Sequence, residues 1–90
     1  MNIRLYSPFK EIIGSDVLSI NITGEVTLKK IVEILVLKNP QFKKFISDEE
    51  LKDEKISKSF IVVRKNQIVL LNEKISEEDE LKIFPTLVGG

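Results

Sequence analysis

The 90-residue chain contains no cysteine and no histidine. Without cysteine there is no disulfide, no thiolate nucleophile and no Cys-ligated metal. Without histidine the usual general base near neutral pH and the commonest metal ligand are both missing. The two absences leave little from which to build a free-standing catalytic site. No apolar run approaches the ~20 residues needed to span a bilayer. The opening stretch MNIRLYSPF has too short and too interrupted an apolar part for a signal peptide. A cytoplasmic location is therefore expected, with no membrane partner. A surplus of charge of either sign is lacking as well, since 14 basic residues face 14 acidic ones. The pairs Lys29-Lys30 and Lys43-Lys44 have acidic residues close by, so no basic patch offers itself to phosphates, and direct nucleic-acid binding is not expected.

What is present is apolar, at 42% of residues, enough to give one small domain a core. NIRLYS alternates, with Ile3 and Leu5 on one face and Asn2, Arg4 and Tyr6 on the other, and reads as a half-buried strand. Ser7-Pro8 ends it. FKEIIG reads as a helical turn stopped by Gly14. VLSINI alternates again, Leu18, Ile20 and Ile22 against Ser19 and Asn21, so these first two strands form an antiparallel hairpin.

The period then changes. Thr27 is placed to cap a helix in which Leu28, Ile31, Val32 and Leu35 fall at i, i+3, i+4 and i+7. Ile34, Val36 and Leu37 widen that stripe, which implies cover on more than one side, while Lys29, Lys30 and Glu33 mark the wet face. Asn39-Pro40 ends the helix and can start a short second one, with Phe42, Phe45 and Ile46 buried. Ser47 to Lys58 is charged and poorly patterned, a surface connection. SFIVVRKNQIVLLN reads as two strands around a tight turn at Lys65-Asn66-Gln67. EKISEEDE reads as an acidic loop; the spacing of Glu77, Glu78, Asp79 and Glu80 is not that of a calcium loop, which favours a solvated turn. LKIF is a last strand, with Leu81 and Ile83 on one face and Lys82 and Phe84 on the other.

Strand, strand, helix, strand, strand, strand defines an α+β domain of two layers. Its most economical form is the β-grasp, a mixed sheet of about five strands clasping one main helix. The first and last strands then lie parallel at the sheet centre. The domain is assigned to residues 1–84 and a flexible tail to 85–90.

That tail, PTLVGG, carries no strand or helix logic. Two final glycines arise by chance in roughly 0.5% of chains, from an average Gly usage of ~7%. Gly89 and Gly90 have no side chains, so a terminal carboxylate can enter a narrow channel, with Leu87 and Val88 as apolar guides outside it. Phe84, turned away from Leu81 and Ile83, is either an aromatic for docking or a cover for a sheet edge.

DELKIFPTLVGG, Asp79 to Gly90, is similar to the ending of the β-grasp sulfur-carrier and ubiquitin-like family. Within that family it is most similar to the small subunit of molybdopterin synthase and to related archaeal modifiers. RLYSPFKEIIGSD and VTLKKIVEIL resemble the family's first strand and turn and its single helix. The resemblance implies that a ubiquitin-activating-type adenylating enzyme activates Gly90 with ATP. The implied product is either a thiocarboxylate that donates sulfur in molybdopterin synthesis or, as the alternative, an acyl group joined to a target lysine and/or serving tRNA thiolation. Phe84, Pro85, Leu87, Val88 and Gly89 would then contact the partner, which is the adenylating enzyme, a molybdopterin synthase large subunit or a target protein. The chain itself would bind no cofactor and no metal.

Overall fold

Alternation decides which way each strand faces, and a computed structural model of the chain, describing residues 1–44, 46 and 60–85, shows what each face meets. Strand β1 (Asn2–Leu5) buries Ile3 and Leu5 and exposes Asn2 and Arg4. The helical turn α1 (Phe9–Ile13) follows, and Gly14 closes it at φ 82°, a left-handed value that glycine adopts without steric cost. Strand β2 (Val17–Ser19) runs back antiparallel to β1, with Ile3 opposite Leu18.

Helix α2 (Leu28–Lys38) is capped by the Thr27 hydroxyl, which accepts from the Lys30 N–H at 3.2 Å. The N–H groups of Leu28 and Lys29 have no partner inside the helix. They donate instead to the carbonyls of Glu73 and Leu71, both at 2.9 Å, which pins the start of α2 to a distant loop. Leu28, Ile31, Val32, Leu35 and Val36 are buried, as the periodicity requires. Leu37 is not: it is 80% exposed, so the widened stripe stops at Val36. The short element after Asn39 is a 3₁₀ helix, Pro40–Lys44, with Phe42 buried and tilted against Phe9 at 5.6 Å between ring centres. Ile46 is buried too, whereas Phe45 and the connection from Ser47 to Lys58 lie outside the described residues.

Strands β4 (Phe60–Arg64) and β5 (Gln67–Ile68) form the second hairpin, with Arg64 opposite Gln67. Its turn has two residues, Lys65 and Asn66, with φ of 52° and 66°. Both values are positive, as a two-residue hairpin turn that follows the strand twist demands. Gln67 belongs to the strand. Strand β7 (Leu81–Pro85) runs parallel to β1 and antiparallel to β4. The order β2-β1-β7-β4-β5 is a mixed five-stranded sheet with the first and last strands at its centre. Its inner face, Ile3, Leu5, Phe60, Val62, Leu81 and Ile83, joins α2 in one core.

One pairing departs from the sequence expectation. EKISEEDE is not all loop: Lys74–Ser76 is strand β6, paired antiparallel with β3 (Glu25–Thr27) in a second, two-stranded sheet. Ile75 is fully buried. Each partner is only three residues long and flanked by polar side chains, too short for alternation to register. Among the described residues no helix is long and apolar enough to cross a membrane.

Candidate functional site

The outer face of the sheet changes character along its length. On β7 the outward residues are Lys82 and Phe84, and on β1 they are Asn2 and Arg4, with Tyr6 one residue beyond the strand. Parallel register sets Arg4 beside Lys82 and Leu5 beside Ile83, so continuing it brings Tyr6 beside Phe84. The two rings stack at 4.3 Å between centres with 12° between planes. On the other side Ile61 of β4 lies opposite Phe84. Tyr6, Phe84 and Ile61 are all half-buried.

Phe84 therefore does not cover a sheet edge, since β7 lies between β1 and β4. It belongs to an aromatic-aliphatic patch at the end of the sheet where the chain leaves. Pro85, placed at the start of the tail from sequence, is the last residue of β7 and faces Phe60. Having no N–H, it cannot prolong the ladder as donor. Leu87, Val88, Gly89 and Gly90 lie outside the described residues.

Tyr6 was not singled out from sequence. The signal was there: it shares the parity of Asn2 and Arg4, and parallel pairing with the last strand places it next to Phe84. An offset-stacked aromatic pair contributes about 0.5–1.5 kcal/mol beyond the area it buries. A double-mutant cycle of Tyr6→Ala and Phe84→Ala, read by urea denaturation, should return a coupling energy in that range.

The acidic turn before β7 is built around one carboxylate. Asp79 accepts from the Ser76 N–H at 2.9 Å and from Arg64 Nη1 at 3.2 Å. Arg64 also donates to the Lys74 carbonyl at 2.9 Å and lies 3.6 Å from Glu73. Glu73 in turn accepts from the Leu70 N–H at 2.6 Å. This network ties the β4–β5 hairpin to the turn that starts β7, while Glu77, Glu78 and Glu80 stay exposed.

The Ser76 N–H, with Arg64 behind it, holds the Asp79 carboxyl below the usual carboxylate range, and partial desolvation opposes this but loses. The folded state thus favours the ionised form. The resulting stability is present above the unfolded-state value, near 4, and is lost as pH falls through the lower folded-state value. Asp79→Asn should cost about 1.5–3 kcal/mol at neutral pH and should flatten the fall in Tm seen in the wild type on acidification below about pH 4.

Among the described residues no group of acidic side chains is disposed to hold a metal ion. What the described face can offer is contact area and a fixed departure point for the residues after Pro85.

A mixed sheet folded over one long helix, with its last strand central, defines a ubiquitin-like β-grasp protein. A family model, the ThiS family, matches residues 3–90. The chain belongs to that family, the β-grasp sulfur carriers and ubiquitin-like modifiers. It is 28% identical over 92 residues to small archaeal modifier protein 1 of Haloferax volcanii, covering 100% of both chains. A crystal structure of that modifier superposes with a TM-score of 0.77 at 27% identity, covering 97% of each chain. The putative molybdopterin converting factor subunit 1 of Pyrococcus furiosus shares the fold at a TM-score of 0.72 and 14% identity, covering 96% of this chain and 95% of that one. The same is true of one chain in the crystal structure of the Amycolatopsis orientalis BexX/CysO complex, at a TM-score of 0.71 and 16% identity over 99% of this chain and 98% of that one.

Proposed function

We propose that this chain works through the carboxyl group of Gly90, as a sulfur carrier in molybdopterin biosynthesis. The carboxylate attacks the α-phosphorus of ATP bound to a ubiquitin-activating-type partner, and pyrophosphate leaves. The acyl-adenylate so formed is a reactive acyl donor where the free carboxylate is not. A hydrosulfide equivalent then displaces AMP to give a thiocarboxylate, and a molybdopterin synthase large subunit uses that sulfur. Gly89 leaves room for the approach, Leu87 and Val88 line the entry, and Phe84 and Pro85 rest on the partner. The chain needs no cofactor of its own, because ATP is held by the partner. The cytoplasm supplies that ATP.

The observation that carries this reading is the route of β7. It runs through the centre of the sheet between β1 and β4, beside an outward aromatic stack, and ends at Pro85, five residues before Gly90 in the sequence. That is a rigid base for a short reactive arm.

A second reading has its own support. The curated relative at 28% identity over 100% of both chains is named a modifier protein. On that reading a target lysine displaces AMP and an isopeptide bond to Gly90 results.

Intact mass after incubation with the cognate adenylating enzyme, ATP and a sulfur source separates the two. Replacement of one oxygen by sulfur is the expected product of carriage. Adducts linked through Gly90 to lysine point to modification. If neither forms, both readings fail.

A further inference from the structure

Four polar side chains meet at the start of β7. Asn2 and Arg4 leave the outer face of β1, and Glu80 and Lys82 share one parity at the beginning of the last strand. Parallel register sets Arg4 beside Lys82 and, continued two residues back, Asn2 beside Glu80. Same-face neighbours are about 7 Å apart along a strand and about 4.8 Å apart across strands, so the four mark the corners of a small frame. They line a hollow of about 90 Å³, walled by Val17 and Leu81. No run of basic residues announces it, because Arg4 and Lys82 meet only across the ladder.

The fold leaves this frame unbalanced. Arg4 and Lys82 are like charges side by side, which weakens a sheet. Arg4 lies 3.8 Å from Asp16, with both side chains more than half exposed, at 52% and 58%, where an ion pair contributes little. Neither Lys82 nor Glu80 has an ion pair among the described residues. Asn2 is held in place: the Ser19 hydroxyl donates to its Oδ1 at 2.8 Å, and its Nδ2 keeps two hydrogens with no acceptor among the described residues. Three donors and one carboxylate around a hollow, without compensation inside the fold, fit a ligand that offers several acceptors and one donor.

We propose that this hollow binds inorganic phosphate in a form that keeps a proton. Arg4, Lys82 and Asn2 Nδ2 each donate to one oxygen, and the P–OH group donates to the Glu80 carboxylate. Glu80 sets the selectivity. Sulfate has a similar shape but no proton at neutral pH, so it meets the carboxylate with lone pairs on both sides and is rejected. A phosphomonoester loses its last proton near about pH 6 and is rejected for the same reason. The volume suits a compact tetrahedral ion, whereas larger ligands occupy pockets of roughly 300–1,000 Å³. The site makes and breaks no bond and does not depend on the chemistry proposed for Gly90.

The test is an NMR titration of the full-length chain with sodium phosphate, sodium sulfate and methyl phosphate in turn. It is run at neutral pH and at constant ionic strength made up with sodium chloride. The Asn2 side-chain amide and the backbone amides of Arg4 and Lys82 are read, and the same spectra show that each variant is folded. Phosphate should shift them saturably with a midpoint of about 1–10 mM, and the other two anions should need at least about tenfold more. Lys82→Gln and Arg4→Gln should each raise the phosphate midpoint about tenfold or more, as expected for a lost charged hydrogen bond. Lys30→Gln, on the exposed side of α2, should leave it unchanged. Glu80→Gln should abolish the discrimination, bringing sulfate within about threefold of phosphate. No saturation by about 100 mM phosphate overturns the site. So do equal shifts with sulfate in the wild type, or a midpoint unchanged in both Lys82→Gln and Arg4→Gln. Sulfate still rejected by Glu80→Gln removes Glu80 from its assigned role and overturns the requirement for a proton.

Discussion

Deleting Gly90 is expected to abolish acyl-adenylate formation. The shortened chain still ends in a carboxylate, so the chemistry is not removed. What changes is its position: the terminal carboxylate falls back by one residue, about 3.5 Å, in an arm anchored at Pro85. Misplacement by as little as 1 Å can cost on the order of 10²-fold in rate, so exchange should drop by at least that factor. Gly89→Val should act in the same direction, by narrowing the fit without changing length. Both variants should keep the wild-type Tm, since the core ends at Ile83. Exchange rate and thermal melt on one preparation check both halves. Wild-type rates in the Gly90-deleted chain would remove Gly90 from its assigned role.

Phe60→Ala should have the largest effect on the fold. Phe60 is 2% exposed and begins β4 on the inner face, opposite Pro85. Its ring lies in the core with Val62, Leu81, Ile83 and α2. Truncating a buried Phe to Ala costs about 3–5 kcal/mol, from lost transfer energy and from the cavity left behind. In a domain with roughly 5–15 kcal/mol in all, that is a large fraction. Tm should fall by roughly 15–30 °C, and the urea midpoint should fall with an unchanged slope. Ile68→Ala, on a side chain 52% exposed, is the matched control and should stay within about 0.5 kcal/mol of wild type. A small effect at Phe60 would mean that the core refills the space.

Wherever one face of a long element is buried, the fold was readable in the sequence. Ile3 and Leu5, the Leu28-Ile31-Val32-Leu35 stripe, and Leu81 and Ile83 are periodic because each repeats against the same core, and all of them are buried. Thr27, Gly14 and Asn66 were readable for a different reason, since caps and turns demand particular chemistry at one position. The β3–β6 ladder was not readable. Its strands have three residues each, and Val26 and Ile75 are single apolar residues, which no period can reveal. Leu37 fits the helical stripe by number yet lies past its edge, because whether the last turn is covered depends on what packs there.

The candidate site was legible only in part. Phe84 stood out by parity, but its partner Tyr6 is separated from it by most of the chain and needed the parallel register to find it. The like-charged neighbours Arg4 and Lys82 are invisible for the same reason: neither residue is unusual until the two strands are side by side.

The central place of β7 also bears on how the protein is made. β1 and β4 belong to separate hairpins and touch through no ladder of their own; β7 is the strip that joins them. As the chain emerges from the ribosome, both hairpins are available before their bridge is. Closure of the sheet waits for Leu81 to Pro85, and contacts of such long sequence separation form slowly. A nascent chain interrupted before β7 has an open seam where the central strand belongs and nothing to carry an arm. On the function proposed above, completion of the sheet and readiness for activation would coincide in a single strand, because only a chain synthesised as far as Pro85 can zip its own sheet.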